Sequence, residues 1–134
     1  MPDQRFPKRM RILRGSEFDR VFKRRASAAD GLLVLHGAES ELPHPRLGLA
    51  VSKRNGSAVE RNRWKRVLRE VFRLSQHDLP AFDFVCVPRV GAVPDFARLA
   101  VVLPRLARQV EAKLARRGGP NTNSGRDAAT RNVS

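Results

Sequence analysis

In the stretch VERNRWKRVLREVFR, residues 59–73, Arg61, Arg63, Lys65, Arg66, Arg69 and Arg73 place six cations among bulky apolar side chains, with Asn62 between two arginines. Guanidinium forks and ammonium groups at this density suit phosphates. The carboxamide of Asn62 can bridge a ribose hydroxyl and a neighbouring phosphate, or bond within the domain; spacing does not choose between these. At about 100° per residue, Trp64, Val67, Leu68, Val71, Phe72 and Leu74 fall on one side of a helix, and Arg61, Asn62, Lys65, Arg66, Arg69 and Arg73 on the other. A solvated face mixes acids and bases four residues apart, whereas Arg61, Lys65, Arg69 and Arg73 form a like-charge row that gives up a few tenths of a kcal/mol per pair. An anionic partner would recover that cost. A membrane-seeking helix fits less well, because a short chain needs the apolar side to cover its strands.

No constellation for independent catalysis stands beside this row. His36, His44 and His77 are scattered, Asp83 and Asp95 stand apart, and nothing assembles a nuclease or metal site. Cys86, the single cysteine, lies in the apolar run FVCV and reads as a buried thiol. Among 134 residues, 27 are Lys or Arg and 13 are Asp or Glu, a formal charge of +14. Such an excess attracts polyanions. No stretch has the length of a signal peptide core or a transmembrane span, so a cytoplasmic location is expected.

The elements that must position the cations follow from periodicity. LLVLH at 32–36, RLGLAVS at 46–52 and FDFVCV at 82–87 are short, partly β-branched or aromatic, and bounded by Gly, Pro and Asp, which predicts strands. In the middle one Leu47, Leu49 and Val51 alternate with Gly48, Ala50 and Ser52, so one face is nearly bare; it permits close approach or lies under a helix. Three helices are predicted. Ser16 caps the first, with Phe18, Val21 and Phe22 on one side. Ser57 and Glu60 have the spacing of a capping box for the second. The third starts at Asp95 and turns Phe96, Leu99, Leu103, Leu106, Val110 and Leu114 inward, with Pro104 producing a kink or two shorter helices. The expected organisation is a basic arm over residues 1–15, one two-layer α+β domain over 16–117, and a disordered tail over 118–134.

The stretch AVSKRNGSAVERNRWKRVLREVFR resembles the signature region of the bacterial ribonuclease P protein subunit, an Arg-Asn-Arg helix after a strand ending in Ser-Lys-Arg. SEFDRVFKR is similar to that family's first helix, RLGLAVSKR to its central strand, and FDFVCVPR to its later strand, over roughly residues 9–116 in order. The resemblance implies the order helix-strand-strand-strand-helix-strand-helix, like the second domain of ribosomal protein S5, with ASAAD as first strand. It also implies a left-handed crossover, against the usual rule. The implied function is that of a subunit supporting an RNA that removes the 5′ leader of precursor tRNA. Catalysis and most Mg²⁺ binding then belong to the RNA, and the protein has no catalytic or metal-binding residue. Lys53, Arg54, Arg61, Asn62, Arg63, Lys65, Arg66 and Arg69 would contact the catalytic RNA; Phe18, Phe22 and His36 would line the leader cleft. Composition alone favours both phenylalanines as core. Arg20, Lys23 and Arg24 flank them and are expected to meet leader phosphates. The implied partners are the ribonuclease P RNA and precursor tRNA, with no membrane and no obligate protein partner. A ribosomal protein or general RNA chaperone is the alternative, and the two helix motifs together argue against it.

Overall fold

The computed structural model describes residues 8–117, so the expected tail lies outside the described residues. After a turn of 3₁₀ helix at Lys8–Met10 come α1 (Gly15–Lys23), β1 (Ala26–Ala29), β2 (Leu33–Glu39) and β3 (Arg46–Leu49). A 3₁₀ turn at Lys53–Asn55 leads to α2 (Ala58–Ser75), and another at Gln76–Asp78 to β4 (Phe82–Pro88) and α3 (Phe96–Arg116). The sheet order is β1-β2-β4-β3; β2 pairs antiparallel with β1 and β4, and β3 pairs parallel with β4. A parallel pair cannot be closed by a hairpin, so α2 makes the crossover.

Alternation along the strands sends Leu33, Leu35, Leu47, Phe84 and Cys86 into one core with Trp64, Leu68, Val71 and Phe72 of α2 and Leu99, Leu103, Leu106, Val110 and Leu114 of α3. Burial pushes the Cys86 thiol up to about 12, which leaves it protonated and inert. The opposite face carries a smaller cluster: Ile12, Val21, Ala38 and Val85, with Phe18 packed on it. Met10 and Ile12, from the segment expected to be an arm, are both buried, and Arg11 bridges to Leu47 beside β3.

Four local expectations are corrected. Arg14, not Ser16, occupies the cap of α1, because its carbonyl already accepts from Glu17 and Phe18. α3 runs unbroken through Pro104 rather than splitting, since the apolar stripe on either side of the proline is held in the core. Phe96 opens α3 on its exposed side, and Leu74 sits at the edge of the apolar face of α2, 55% exposed. The capping box is as expected: Ser57 Oγ accepts from Glu60 N at 3.2 Å and Glu60 Oε1 from Ser57 N at 2.7 Å.

Candidate nucleic-acid interface

The cationic surface starts where β3 ends. Ser52 and Asn55 cap the Lys53–Asn55 turn reciprocally, and Asn55 Nδ2 donates to Pro88 O at 3.1 Å, tying the turn to the end of β4. Lys53 and Arg54 are left exposed on it. Gly56 then takes φ 110°, and a Cβ there would meet Glu60 Oε1 at 2.3 Å, so the capped start of α2 requires glycine.

Along α2, Asn62, Arg63, Arg66 and Arg69 are exposed and Arg61 and Lys65 half-buried. The Arg61 Nε is buried with no hydrogen-bond partner among the described residues. Burial, then the charge of Arg11, lowers the pKa of Arg69, a sign of cations crowded against one another. Arg73 departs from the expected row: Glu70 takes it in a two-point pair at 3.1 and 2.6 Å. The free cationic face therefore runs from Lys53 to Arg69.

The other surface is the sheet face carrying α1. Register places Ser27, His36, Val85 and Gly48 in one row across β1, β2, β4 and β3. α1 lies over this row. The Phe22 ring meets His36 edge-on at 4.8 Å between centroids, and a Cβ on Gly48 would come within 2.9 Å of the Phe18 ring. The bare face of β3 is thus filled by an aromatic from above. Phe18, Phe22 and His36 are brought together as expected; Phe18 is half-buried and Phe22 is 37% exposed, so the core reading fails for Phe22. Beyond them the row Ala29, Val34 and Val87 is partly open, and forms a small-residue floor beside the aromatic wall. Burial lowers the His36 pKa, and its Nδ1 has no hydrogen-bond partner among the described residues.

α1 is fixed by charge that sequence reasoning missed. Asp83, wholly buried, accepts from Arg46 Nε and a terminal nitrogen, both at 2.8 Å, and from Arg20. Arg46 also donates to Glu17 at 3.1 Å, and Arg24 grips Glu39 with two bonds at 2.9 Å. The bonds to Asp83 raise the Arg46 pKa against its burial. Arg20 and Arg24 therefore hold α1 on the sheet instead of standing free for phosphates; the spacing of α1 shows them on a charged face, but their partners lie 63 and 15 residues away.

Among the described residues no group of three or more His, Cys, Asp or Glu side chains can hold a metal, and the buried carboxylate is taken by arginines. No described helix is long and apolar enough to cross a membrane. An aromatic wall on one sheet face, with a helix bearing unpaired cations packed on the other, is the arrangement of a small basic RNA-binding domain. The chain belongs to the ribonuclease P protein family, whose model matches residues 6–111. A ribonuclease P protein component of Proteus mirabilis is 43% identical over 106 residues, covering 78% of this chain and 89% of that protein. One of Escherichia coli is 43% identical over 113 residues, covering 83% and 94%. The structure of the Staphylococcus aureus RNase P protein superposes with a TM-score of 0.66 at 31% identity, over 74% of this chain and 93% of that one. That of Thermotoga maritima gives 0.64 at 31% identity, over 72% and 94%. Family members are subunits of an endoribonuclease that matures tRNA 5′ ends.

Proposed function

We propose that the face from Lys53 to Arg69 holds the ribonuclease P RNA, through Lys53, Arg54, Arg61, Asn62, Arg63, Lys65, Arg66 and Arg69, while the 5′ leader of precursor tRNA crosses the sheet along Phe18, Phe22 and His36. The observation that carries the second half is the row Ser27, His36, Val85 and Gly48 under α1, with the Phe22 ring on His36 and half-open. Single-stranded RNA offers free base faces, and aromatic contacts accept many sequences. His36, kept neutral by burial, presents a ring that stacks or bonds without adding charge. Mg²⁺ is assigned to the RNA: the carboxylates beside the groove, Glu17, Glu39 and Asp83, are engaged by arginines. On this reading the protein works in the cytoplasm with its RNA and precursor tRNA.

Two outcomes check this assignment. Mixed with a ribonuclease P RNA, the protein is expected to lower the Mg²⁺ needed for precursor cleavage, and alone, free of RNA, to cleave nothing. Cleavage by RNA-free protein would sink it. Within the holoenzyme, Phe22→Ala is expected to weaken binding of leader-bearing precursor by roughly 1 kcal/mol or more, with mature tRNA hardly affected. An equal loss for both RNAs, or a core-like fall in melting temperature, makes Phe22 a packing residue.

A further inference from the structure

α2 and α3 pack side by side under the sheet, and at the start of α3 a depression of about 500 Å³ opens, lined by Leu32, Arg63, Val93, Pro94, Asp95, Phe96 and Arg98. That volume lies within the range of small-ligand sites, roughly 300–1,000 Å³. Its chemistry is uneven. Phe96, 43% exposed, and Val93, 62% exposed, offer an apolar wall, while Arg63 and Arg98 stand exposed at its edge. Val59, 78% exposed, lies one turn before Arg63 on the same side of α2 and extends the apolar surface toward the cationic face.

A phenylalanine at the first position of a helix, turned outward, gives up burial that the leucine stripe of α3 obtains. Two acids stand nearby: Asp95, in the lining, accepts from Arg98 N at 3.1 Å as the cap of α3, and Asp30 pairs with Arg98 at 3.6 Å, which leaves Arg63 as the lining cation with no acidic partner among the described residues. An aromatic ring and arginines lining one depression match a nucleotide on both counts, base against ring and phosphate against cation. A protein partner of ordinary surface charge would bury Arg63 without an acid to meet it, and a second copy of this chain would bring its own positive charge against it.

We propose that this depression receives one unstacked nucleotide of the ribonuclease P RNA, its base on Phe96 and Val93 and its phosphate between Arg63 and Arg98. The site rests on the assignment of the α2 face to that RNA and adds a base contact to it. A base held there adds affinity that does not depend on salt, unlike the phosphate contacts along α2.

The test is equilibrium binding of full-length protein to a ribonuclease P RNA over a range of salt concentrations. Phe96→Ala is expected to weaken binding about tenfold at every salt concentration, leaving the slope of log affinity against log salt unchanged. Phe96→Trp is expected to restore affinity and to show emission quenched by the RNA, above the background of buried Trp64. Wild-type affinity in Phe96→Ala, or unquenched emission in Phe96→Trp, overturns the site. So does concentration-dependent dimerisation that Phe96→Ala abolishes, since the occupant is then a second copy. Arg66→Ala, measured in parallel, judges the α2 face separately: its slope is expected to flatten whether or not Phe96 contributes.

Discussion

Asp83→Ala is expected to cost about 3 kcal/mol of stability, because it leaves the Arg46 guanidinium in a largely buried place with only Glu17 to meet it, and leaves Arg20 held to the sheet only by its bond to the Glu39 carbonyl at 3.0 Å. For a domain of this size the melting temperature falls by roughly 10 °C or more. Thermal unfolding followed by circular dichroism measures it. Asp83→Asn, which keeps an acceptor oxygen but no charge, is expected to fall between the two. Precursor binding should decline with the alanine variant, since Asp83 joins α1 to β3 and β4. An unchanged melting temperature would mean that α1 is held by its apolar contacts alone.

Replacing Arg63, Arg66 and Arg69 together with alanine is expected to act on binding rather than folding. Each phosphate contact contributes about 0.7 to 0.9 to the slope of log affinity against log salt, so three lost contacts flatten it by about 2 to 2.7. Affinity for the RNA at moderate salt falls by roughly a hundredfold. Stability should hold or rise slightly, because crowded like charges are relieved and alanine is the better helix former. A slope equal to that of the wild type would make the α2 row a solvated face.

What the sequence disclosed and what it hid divide by distance along the chain. Ser57 and Glu60 are three residues apart, and their reciprocal cap is where spacing puts it. The apolar stripe of α2 from Trp64 to Phe72 and that of α3 from Leu99 to Leu114 are equally local, and both are buried. Pro104 does not split α3, because a proline's local penalty, about 3 kcal/mol, is outweighed when an apolar stripe on both sides is fixed in a core. The groove was half visible: Phe18 and Phe22 share a face by spacing, but His36 joins them only through sheet register, and its place came from family likeness. Arg20 and Arg24 look like free cations in sequence, and only the fold brings Asp83 and Glu39 to them. The outward turn of Phe96 depends on where α3 meets α2, which periodicity at a helix start does not specify.

The strand order also sets a timetable. β4 sits between β2 and β3 and is the last strand of the four in the chain, so until residues 82–88 are made β2 has only β1 beside it and β3 has no neighbouring strand of the sheet. The β1-β2 hairpin and the start of α2 can form from nearby residues, whereas closing the sheet waits on pairings such as Leu33 with Pro88 and Arg46 with Asp83, far apart along the chain. Late, non-local pairing of this kind folds slowly and exposes unpaired strand edges in the interval. During that interval α2 already carries its cations, while the groove under α1 does not yet exist, because Asp83 and Val85 belong to the missing strand. On the proposed assignment, a growing chain would thus acquire its means of holding a polyanion before its means of distinguishing one RNA from another.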